Sequence, residues 1–337
     1  MHRRYWTVTV VAVAAMVALG ACSGGSRSAS KDEAAAPSTA RPPDPASVKA
    51  NELGVVPVLM YHRLTQTPTG EYDRSPDDFR AELQRLHDSG YRPILARDLV
   101  DGRIDVQAGK SPVVLTFDDT TVSQYRLGPD GNVVADTAVG ILLEFSRSHP
   151  DFRPIATMYV NGNPFEAGAG TPELQDLARR GFELGAHTLT HQNLAKTDAD
   201  NVQKELVRGL RVITKAVPDA KVETLALPFG IKPKDKELAR AGTWDGQSYS
   251  FDGVFLVGAE PSPSPFAVAF DPLKVPRIRS AEWNGQKPNY GSSFWLDTLD
   301  KYPERRYVSD GDPDRVSFPK PEEAKLRADA AAKARPY

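Results

Sequence analysis

The amino-acid sequence predicts an α/β protein in which strands and helices alternate around a mainly parallel sheet. Short apolar and β-branched runs alternate at least five times with segments of helical period between residues 55 and 278. Polar side chains follow several of these runs directly, as they do at the carboxyl edge of a parallel sheet. We find no internal repeat. The pattern is typical of βα units and leaves open whether the sheet is closed or open.

The individual elements follow from periodicity and end signals. Apolar runs bounded by turn residues predict strands at 55–62, 91–95, 113–117, 154–160, 182–186, 224–227, 253–257 and 273–278. Apolar residues at helical spacing, with caps and stop signals, predict helices at 76–89, 136–150, 171–180, 198–217 and 233–241. A long connection, residues 120–136, contains the turn signal Gly-Pro-Asp-Gly-Asn, and connections of this length often carry function.

The two ends of the chain differ from this alternating region. A basic start and an apolar run at 8–19, too short for a comfortable membrane span, precede Leu-Gly-Ala-Cys22, which resembles a bacterial lipobox. The resemblance implies cleavage before Cys22 and lipid attachment to it, hence an extracytoplasmic protein anchored to the cell membrane. The alternative is an ordinary signal peptide with an incidental cysteine.

These features divide the chain into four predicted parts. They are a signal peptide at 1–21, a flexible Ser/Ala/Pro-rich tether at 22–50, one domain at 51–318, and a charged tail at 319–337. The tail is expected to be an exposed helix or disordered.

Composition excludes two classes of protein. Lys and Arg number 42 against 44 Asp and Glu, a net charge of -2, and this balance argues against a nucleic-acid partner. Cys22 is the single cysteine, so the fold cannot depend on an internal disulfide.

Two adjacent carboxylates, Asp118 and Asp119, end the apolar run that begins at Val113. Two like charges at the end of a core strand are costly unless a cation or protons neutralise them. The alternative interpretation is a cap or turn for the following segment.

His187 and His191 follow another predicted strand at i, i+4 spacing. On one helical turn their imidazoles would share a face, about 5–6 Å apart at Cβ, and could chelate one cation. The alternative is one core and one surface histidine. Two imidazoles and a carboxylate are a frequent catalytic zinc set that leaves a position open for water, although other divalent metals also suit it.

The segments 116–119 (TFDD) and 187–191 (HTLTH) together resemble the first two motifs of the polysaccharide deacetylase family, also called carbohydrate esterase family 4 or the NodB-homology domain. Their order and separation also match, and the resemblance covers roughly residues 55–280. It implies a distorted (β/α) barrel with about seven parallel strands. It also implies metal-dependent hydrolysis of N-acetyl or O-acetyl groups on glycans, by attack of a metal-bound water.

Carried over residue by residue, the resemblance implies Asp119, His187 and His191 as ligands of a divalent metal, zinc first, with cobalt or nickel as alternatives. It implies Asp118 as the general base. The apolar run before His62 resembles the opening strand of the poly-N-acetylglucosamine deacetylase branch, in which this histidine is the general acid. The alternative for His62 is a structural histidine at the barrel mouth.

The sequence also departs from the family pattern. The third motif, RxPxG, stands here as residues 226–230 (ALPFG), so Ala226 replaces the arginine that orients the base. Arg277, on a late predicted strand, is a candidate replacement. The family's late Leu-x-x-His motif is absent because no histidine follows His191.

Ring-bearing and pocket-shaping residues complete the prediction. Aromatic rings near strand ends can stack on sugars, although core packing is an equally good explanation for any one of them. The candidate substrate-binding residues are Tyr61, Pro228, Phe229 and Gly230.

The sequence therefore predicts a lipid-anchored deacetylase acting on an N-acetylglucosamine-containing polysaccharide. One alternative is a glycan-binding, catalytically weak deacetylase-like lipoprotein, because the motif arginine is missing. Another is a hydrolase of non-sugar C–N bonds on the same scaffold, against which the lipobox argues.

Overall fold

The computed structural model describes residues 43–168, 170–282 and 291–337. The strands are β1 (Val58–Tyr61), β2 (Arg63–Leu64), β3 (Asp73–Arg74), β4 (Tyr91–Ile94), β5 (Ser111–Asp118), β6 (Thr157–Val160), β7 (Glu183–Ala186), β8 (Thr224–Ala226), β9 (Ala241–Trp244), β10 (Gln247–Ser250), β11 (Gly253–Phe255), β12 (Ile278–Arg279), β13 (Val316–Phe318) and β14 (Ala334–Pro336). The α-helices are α1 (Pro76–Asp88), α2 (Ala96–Val100), α3 (Ala138–Ser148), α4 (Thr171–Arg179), α5 (Ala199–Ala216) and α6 (Ser292–Lys301).

The main sheet has the order β11-β8-β7-β6-β5-β1-β12, and every neighbouring pair is parallel. β4 pairs with the first half of β5, and β6 pairs with its second half. All eight residues of β5 are buried, which explains its continuous apolar run. The prediction of a parallel α/β sheet is therefore confirmed.

One segment brings the two edges of this sheet together. Val275 N–H donates to Val254 O, and Leu256 N–H donates to Val275 O, beside β11. A few residues later, Ile278 pairs with Leu59 of β1. The sheet thus curls into a distorted barrel of seven parallel strands, as the family resemblance implies.

The core lies on both sides of this curled sheet. Alternate residues of β5 point to opposite faces, so Val114 packs with Tyr159 and Phe255, while Leu115 packs with the apolar residues of α1 and α3. Side chains of several strands therefore fill the barrel, and the carboxyl ends of those strands surround one mouth.

Three of the five predicted helices begin within one residue of their end signals and two differ, whereas α2 and α6 were not predicted. α3 begins one residue later than expected, because Thr137 Oγ1 accepts the N–H of Gly140 at 3.1 Å and caps the helix in place of Asp136. The predicted helix at 233–241 is wrong, since only Lys236–Ala239 form a 3-10 turn.

The antiparallel pair β9 and β10, which was not predicted, follows that turn. Asp245 and Gly246 connect the two strands and both have positive φ, 49° and 71°. Asp-Gly is a strong sequence signal for such a hairpin.

Residues 319–337 differ from the predicted tail. β14 pairs in parallel with β13, and the Tyr337 hydroxyl donates to Ala50 O at 2.8 Å. Ala50, within the predicted tether, is itself fully buried. Both segments therefore pack as part of the domain, because strand pairing supplies backbone partners that an isolated tail would lack.

The predicted signal peptide and Cys22 lie outside the described residues. Across the three described ranges, no helix combines the length and apolar character that a membrane span requires.

Candidate active site

The predicted site residues converge at the mouth formed by the carboxyl ends of the barrel strands. His62 follows β1, Asp118 ends β5 with Asp119 next to it, His187 follows β7, and Phe229 lies three residues beyond β8. All five line one cavity of about 370 Å³. Side chains separated by more than a hundred residues in sequence therefore face the same space.

Asp119, His187 and His191 form a compact group of possible ligands. Asp119 Oδ1 lies 3.5 Å from His187 Nε2 and 3.7 Å from His191 Nε2. One nitrogen or oxygen atom from each residue lies within 4.8 Å of the others. One carboxylate and two imidazoles at this spacing can hold a divalent cation.

The orientation of His187 fits this function. Its Nδ1 lies 2.8 Å from the carbonyl oxygen of Ala226, and because a carbonyl only accepts, Nδ1 carries the hydrogen. Nε2 then has no hydrogen and carries a free lone pair. It is buried and makes no hydrogen bond within the described residues. A cation at Asp119 would give this nitrogen a partner, in the arrangement that proteins use for ligating histidines.

Charge at the site also favours a cation. Burial alone would lower the pKa of His187, but Asp118 and Asp119 outweigh it and raise that pKa above its ordinary value. Burial and the neighbouring His187 lower the pKa of His191, so this ring is held neutral and ready to ligate. The carboxylates thus attract positive charge to the place where the histidine nitrogens converge.

The backbone directly after Asp118 has an unusual conformation. Asp119 and Thr120 both have positive φ, 74° and 48°. The side-chain amide of Asn161, at the end of β6, donates to Asp119 O at 2.9 Å. A left-handed backbone in non-glycine residues requires such external support.

The histidines lie on a loop after β7 and not on one helical turn. Thr188 and His191 have φ values of 64° and 55°. Glu205, buried on α5, accepts the N–H groups of Leu189 at 3.2 Å and Thr190 at 2.8 Å. The i, i+4 spacing brings the rings together because this carboxylate folds the loop between them.

In the absence of the motif arginine, the guanidinium of Arg277 contacts Asp118. Its two terminal nitrogens lie 2.6 Å and 2.7 Å from Asp118 Oδ1 and Oδ2, and the guanidinium is fully buried. Burial raises the pKa of Asp118, but Arg277 and His187 outweigh it, and the net pKa is well below the usual range. The candidate replacement therefore supplies a bidentate partner from the residue that precedes β12.

His62 faces the same carboxylate. Its Nε2 lies 3.8 Å from Asp118 Oδ2, and its ring centroid lies 4.7 Å from that of Tyr72. Burial lowers the pKa of His62, an effect that Asp118 and Asp119 oppose only in part.

The ring of Phe229 is exposed on the cavity wall, where it can contact a ligand. Its ring is 57% exposed and lies 4.8 Å from the ring of His191. The next residue, Gly230, has φ 68°, and a Cβ there would lie 2.5 Å from Val257 N, so glycine is required. The exposed ring depends on this tight turn.

Two other candidate substrate-binding residues are not on the cavity surface. Tyr61 is 1% exposed and donates to Glu82 at 2.6 Å, so it belongs to the core. Pro228 is also buried. Tyr72, which the sequence did not single out, is exposed at the mouth instead.

Glu205 and Gln124 support the site and were also not predicted. Glu205 lies on the apolar face of α5 between Val202 and Leu206, and a carboxylate in that stripe is a usable signal. Gln124 lies in the 120–136 connection and has no such pattern around it.

Comparison with known proteins identifies the domain that carries this site. Residues 105–243 match the family model of polysaccharide deacetylases. The chitooligosaccharide deacetylase of Bradyrhizobium sp. (strain ANU 289) is 30% identical over 129 residues, 38% of this chain and 50% of that protein. The chitooligosaccharide deacetylase of Sinorhizobium fredii is 30% identical over 131 residues, 38% of this chain and 51% of that protein. This chain thus spans about half the length of these curated relatives.

Solved structures show the same fold. The polysaccharide deacetylase BC0361 from Bacillus cereus superposes with a TM-score of 0.51 at 22% identity, covering 67% of this chain and 64% of that one. The Streptococcus pyogenes deacetylase PplD, solved in complex with acetate, gives 0.50 at 20% identity, covering 67% and 92%. The part of this chain that holds Asp119, His187 and His191 is thus similar to the polysaccharide deacetylase family, and the solved structures show the same fold.

Proposed function

We propose that this protein is a metal-dependent deacetylase that removes N-acetyl groups from an N-acetylglucosamine-containing polysaccharide outside the cytoplasmic membrane. The observation that carries the proposal is the pair of neighbouring carboxylates with different partners. Asp119 faces His187 and His191, and Asp118 is held by Arg277. One carboxylate can thus bind a cation while the other handles a proton.

The proposed ligands are Asp119, His187 and His191, and zinc is the metal that best suits them. When bound there, a divalent cation would acidify a water molecule and polarise the acetyl carbonyl. The site residues fit this chemistry, since His187 Nε2 is buried without a hydrogen-bond partner in the described part of the chain.

Asp118 is the proposed base. It accepts the proton of the attacking water. The bidentate contact with Arg277 keeps Asp118 ionised and fixes its orientation. The low pKa of Asp118 makes it a weak base, and a divalent cation bound by Asp119, His187 and His191 would compensate for this by making the water more acidic. Arg277 thus supports the base although the motif arginine is missing.

His62 is the proposed acid. Its protonated ring gives a proton to the amide nitrogen as the carbon–nitrogen bond breaks, so the products are acetate and a free amine. A lowered pKa makes the imidazolium a stronger proton donor but also makes it rarer at neutral pH. Phe229 and Tyr72, exposed on the cavity wall, are the proposed stacking surfaces for sugar rings.

Acetate release tests the proposal. Purified protein with one equivalent of zinc, cobalt or nickel is incubated with N-acetylglucosamine oligomers, peptidoglycan and acetyl esters. We expect acetate from an N-acetylated glycan, and loss of both bound metal and activity in Asp119→Ala. Glycan binding without acetate from any substrate would favour the catalytically weak alternative.

The location at the membrane is also part of the proposal. The lipobox supports lipid attachment at Cys22. Mass spectrometry of the mature N-terminus and membrane fractionation of Cys22→Ser test it. A soluble wild-type protein with an unmodified N-terminus would contradict it.

A further inference from the structure

The carboxamide of Gln124 joins the two strand ends that carry the proposed acid and base. Gln124 lies in the 120–136 connection and is fully buried. Its Nε2 donates to His62 O at 2.7 Å and to Asp118 O at 2.5 Å. One side chain therefore bonds the backbone of β1's end and of β5's end, which are far apart in sequence.

The direction of this amide follows from its partners. Both contacts are carbonyl oxygens, which only accept, so the nitrogen must face them and both of its hydrogens are used. The other end, Oε1, is buried and has no hydrogen-bond partner among the described residues. Burying an unsatisfied oxygen is costly, and the two bonds that the nitrogen makes offset this cost.

Support at this point is needed because the neighbouring backbone is strained. Asp119 and Thr120 follow Asp118 in the left-handed region, and Asn161 holds only the carbonyl of Asp119. Without Gln124, the carbonyl oxygens of Asp118 and His62 would lose the side-chain donor that they share. The distance between their side chains, 3.8 Å from His62 Nε2 to Asp118 Oδ2, would then depend on the pairing of β1 with β5 and on the bonds from Arg277 to Asp118.

We propose that Gln124 is a positioning residue that sets the separation of the general acid His62 from the general base Asp118. Gln124 does not line the cavity, and its hydrogen bonds go to backbone carbonyl oxygens. This inference rests on the proposed function for those two residues. Catalytic groups must be held to within about 0.5 Å, so a single buried clamp between two strand ends can control the rate.

The test compares Gln124→Met, which keeps the volume and removes both donors, with Ser123→Ala as a matched control. Ser123 Oγ accepts the N–H of Leu64, so its removal loosens the same connection without freeing His62 or Asp118. A milder variant, Gln124→Asn, keeps the amide on a shorter stem if the methionine variant folds poorly.

Two substrates separate positioning from general damage. An N-acetylglucosamine oligomer needs a proton on its leaving amine, whereas 4-nitrophenyl acetate has a leaving group that departs without one. We expect Gln124→Met to lower kcat on the oligomer about tenfold or more, with KM and zinc affinity unchanged, and to lower aryl ester hydrolysis less than about threefold. Ser123→Ala should stay within about twofold on both. Equal losses of Gln124→Met on the two substrates would overturn the inference.

A structural readout keeps the result independent of the proposed function. Crystal structures of the wild type and of Gln124→Met with zinc measure the distance from His62 Nε2 to Asp118 Oδ2. We expect it to change by more than about 0.5 Å, and an unchanged distance would overturn the inference. If the wild type hydrolyses neither substrate, the proposed function fails, and this distance still decides whether Gln124 holds the pair.

Discussion

Replacing Arg277 tests whether its guanidinium, just before β12, performs the function of the missing motif arginine. In Arg277→Met, Asp118 loses two charge-assisted bonds of 2.6 Å and 2.7 Å in a fully buried place. Removing one partner of a buried ion pair costs about 3–5 kcal/mol when the remaining charge stays. Asp118 can avoid that cost by binding a proton, because burial alone raises its pKa.

The sign of the expected pH effect follows from this balance. In the wild type the pKa of Asp118 is well below its ordinary value, so the base stays ionised and its stabilising contribution is lost only in strong acid. In Arg277→Met the pKa rises and the base is partly protonated at neutral pH. We expect kcat/KM at pH 7 to fall about 100-fold, with partial recovery as the pH approaches 9.

The assay is kcat/KM for acetate release between pH 5 and 9, with zinc content and urea unfolding measured on the same preparations. Arg279→Met is the matched control, because Arg279 lies two residues further on and pairs with the exposed Glu71 at 2.7 Å. It should keep the wild-type pH profile. Adding Ala226→Arg to Arg277→Met returns an arginine to the motif position and should restore part of the activity. An Arg277→Met enzyme with the wild-type profile and a rate within threefold would refute the reasoning.

Further predictions concern the ligands, the loop that supports them, and a buried acid distant from the site. Asp118→Asn should keep zinc but lose at least 100-fold in kcat, whereas Asp119→Ala should lose zinc in equilibrium dialysis; equal zinc loss in both would contradict the division of roles. Glu205→Ala removes the acceptor of two loop N–H groups and should weaken zinc affinity about 10–100-fold in chelator competition, and an unchanged affinity would show that the loop needs no such support. Burial, together with Asp310, raises the pKa of Glu52 to about 8, so its stabilising contribution is complete below pH 4.5 and falls as pH rises through 8. Glu52→Gln should therefore gain stability relative to the wild type by roughly 4–5 kcal/mol between pH 5 and 9 in urea unfolding, and parallel pH curves for the two proteins would disprove this.

The parts of the fold that were predictable depend on local pattern. The apolar run of β5 and the amphipathic spacing of α5 are visible over short windows, and they survive because the sheet buries both faces of β5 and one face of the helix. The convergence of His62, Asp119 and His187 also follows, because polar residues at the carboxyl ends of parallel strands must meet at one mouth.

Errors arose where a competing local signal or a distant contact decides the structure. The predicted helix at 233–241 forms only a 3-10 turn at Lys236–Ala239, and the chain then enters β9 of the Asp245-Gly246 hairpin. Tyr61 was a candidate for stacking on sugar, but β1 turns its ring toward Glu82 in the core. Alternation along a strand decides such a choice, and the sequence does not state which face is which.

The amino-acid sequence alone determines the parallel α/β class, the position of the polar residues at strand ends and the spacing of the three possible metal ligands. Each of those features lies within one element, where residue type and periodicity can be recognised along the sequence. Only the tertiary structure decides which residues support the proposed acid, base and metal ligands. Arg277 reaches Asp118 across 159 positions, Gln124 joins the ends of two strands, and Glu205 folds the histidine loop from a neighbouring helix. These contacts depend on how distant segments approach each other, and no periodic pattern along the chain records that approach.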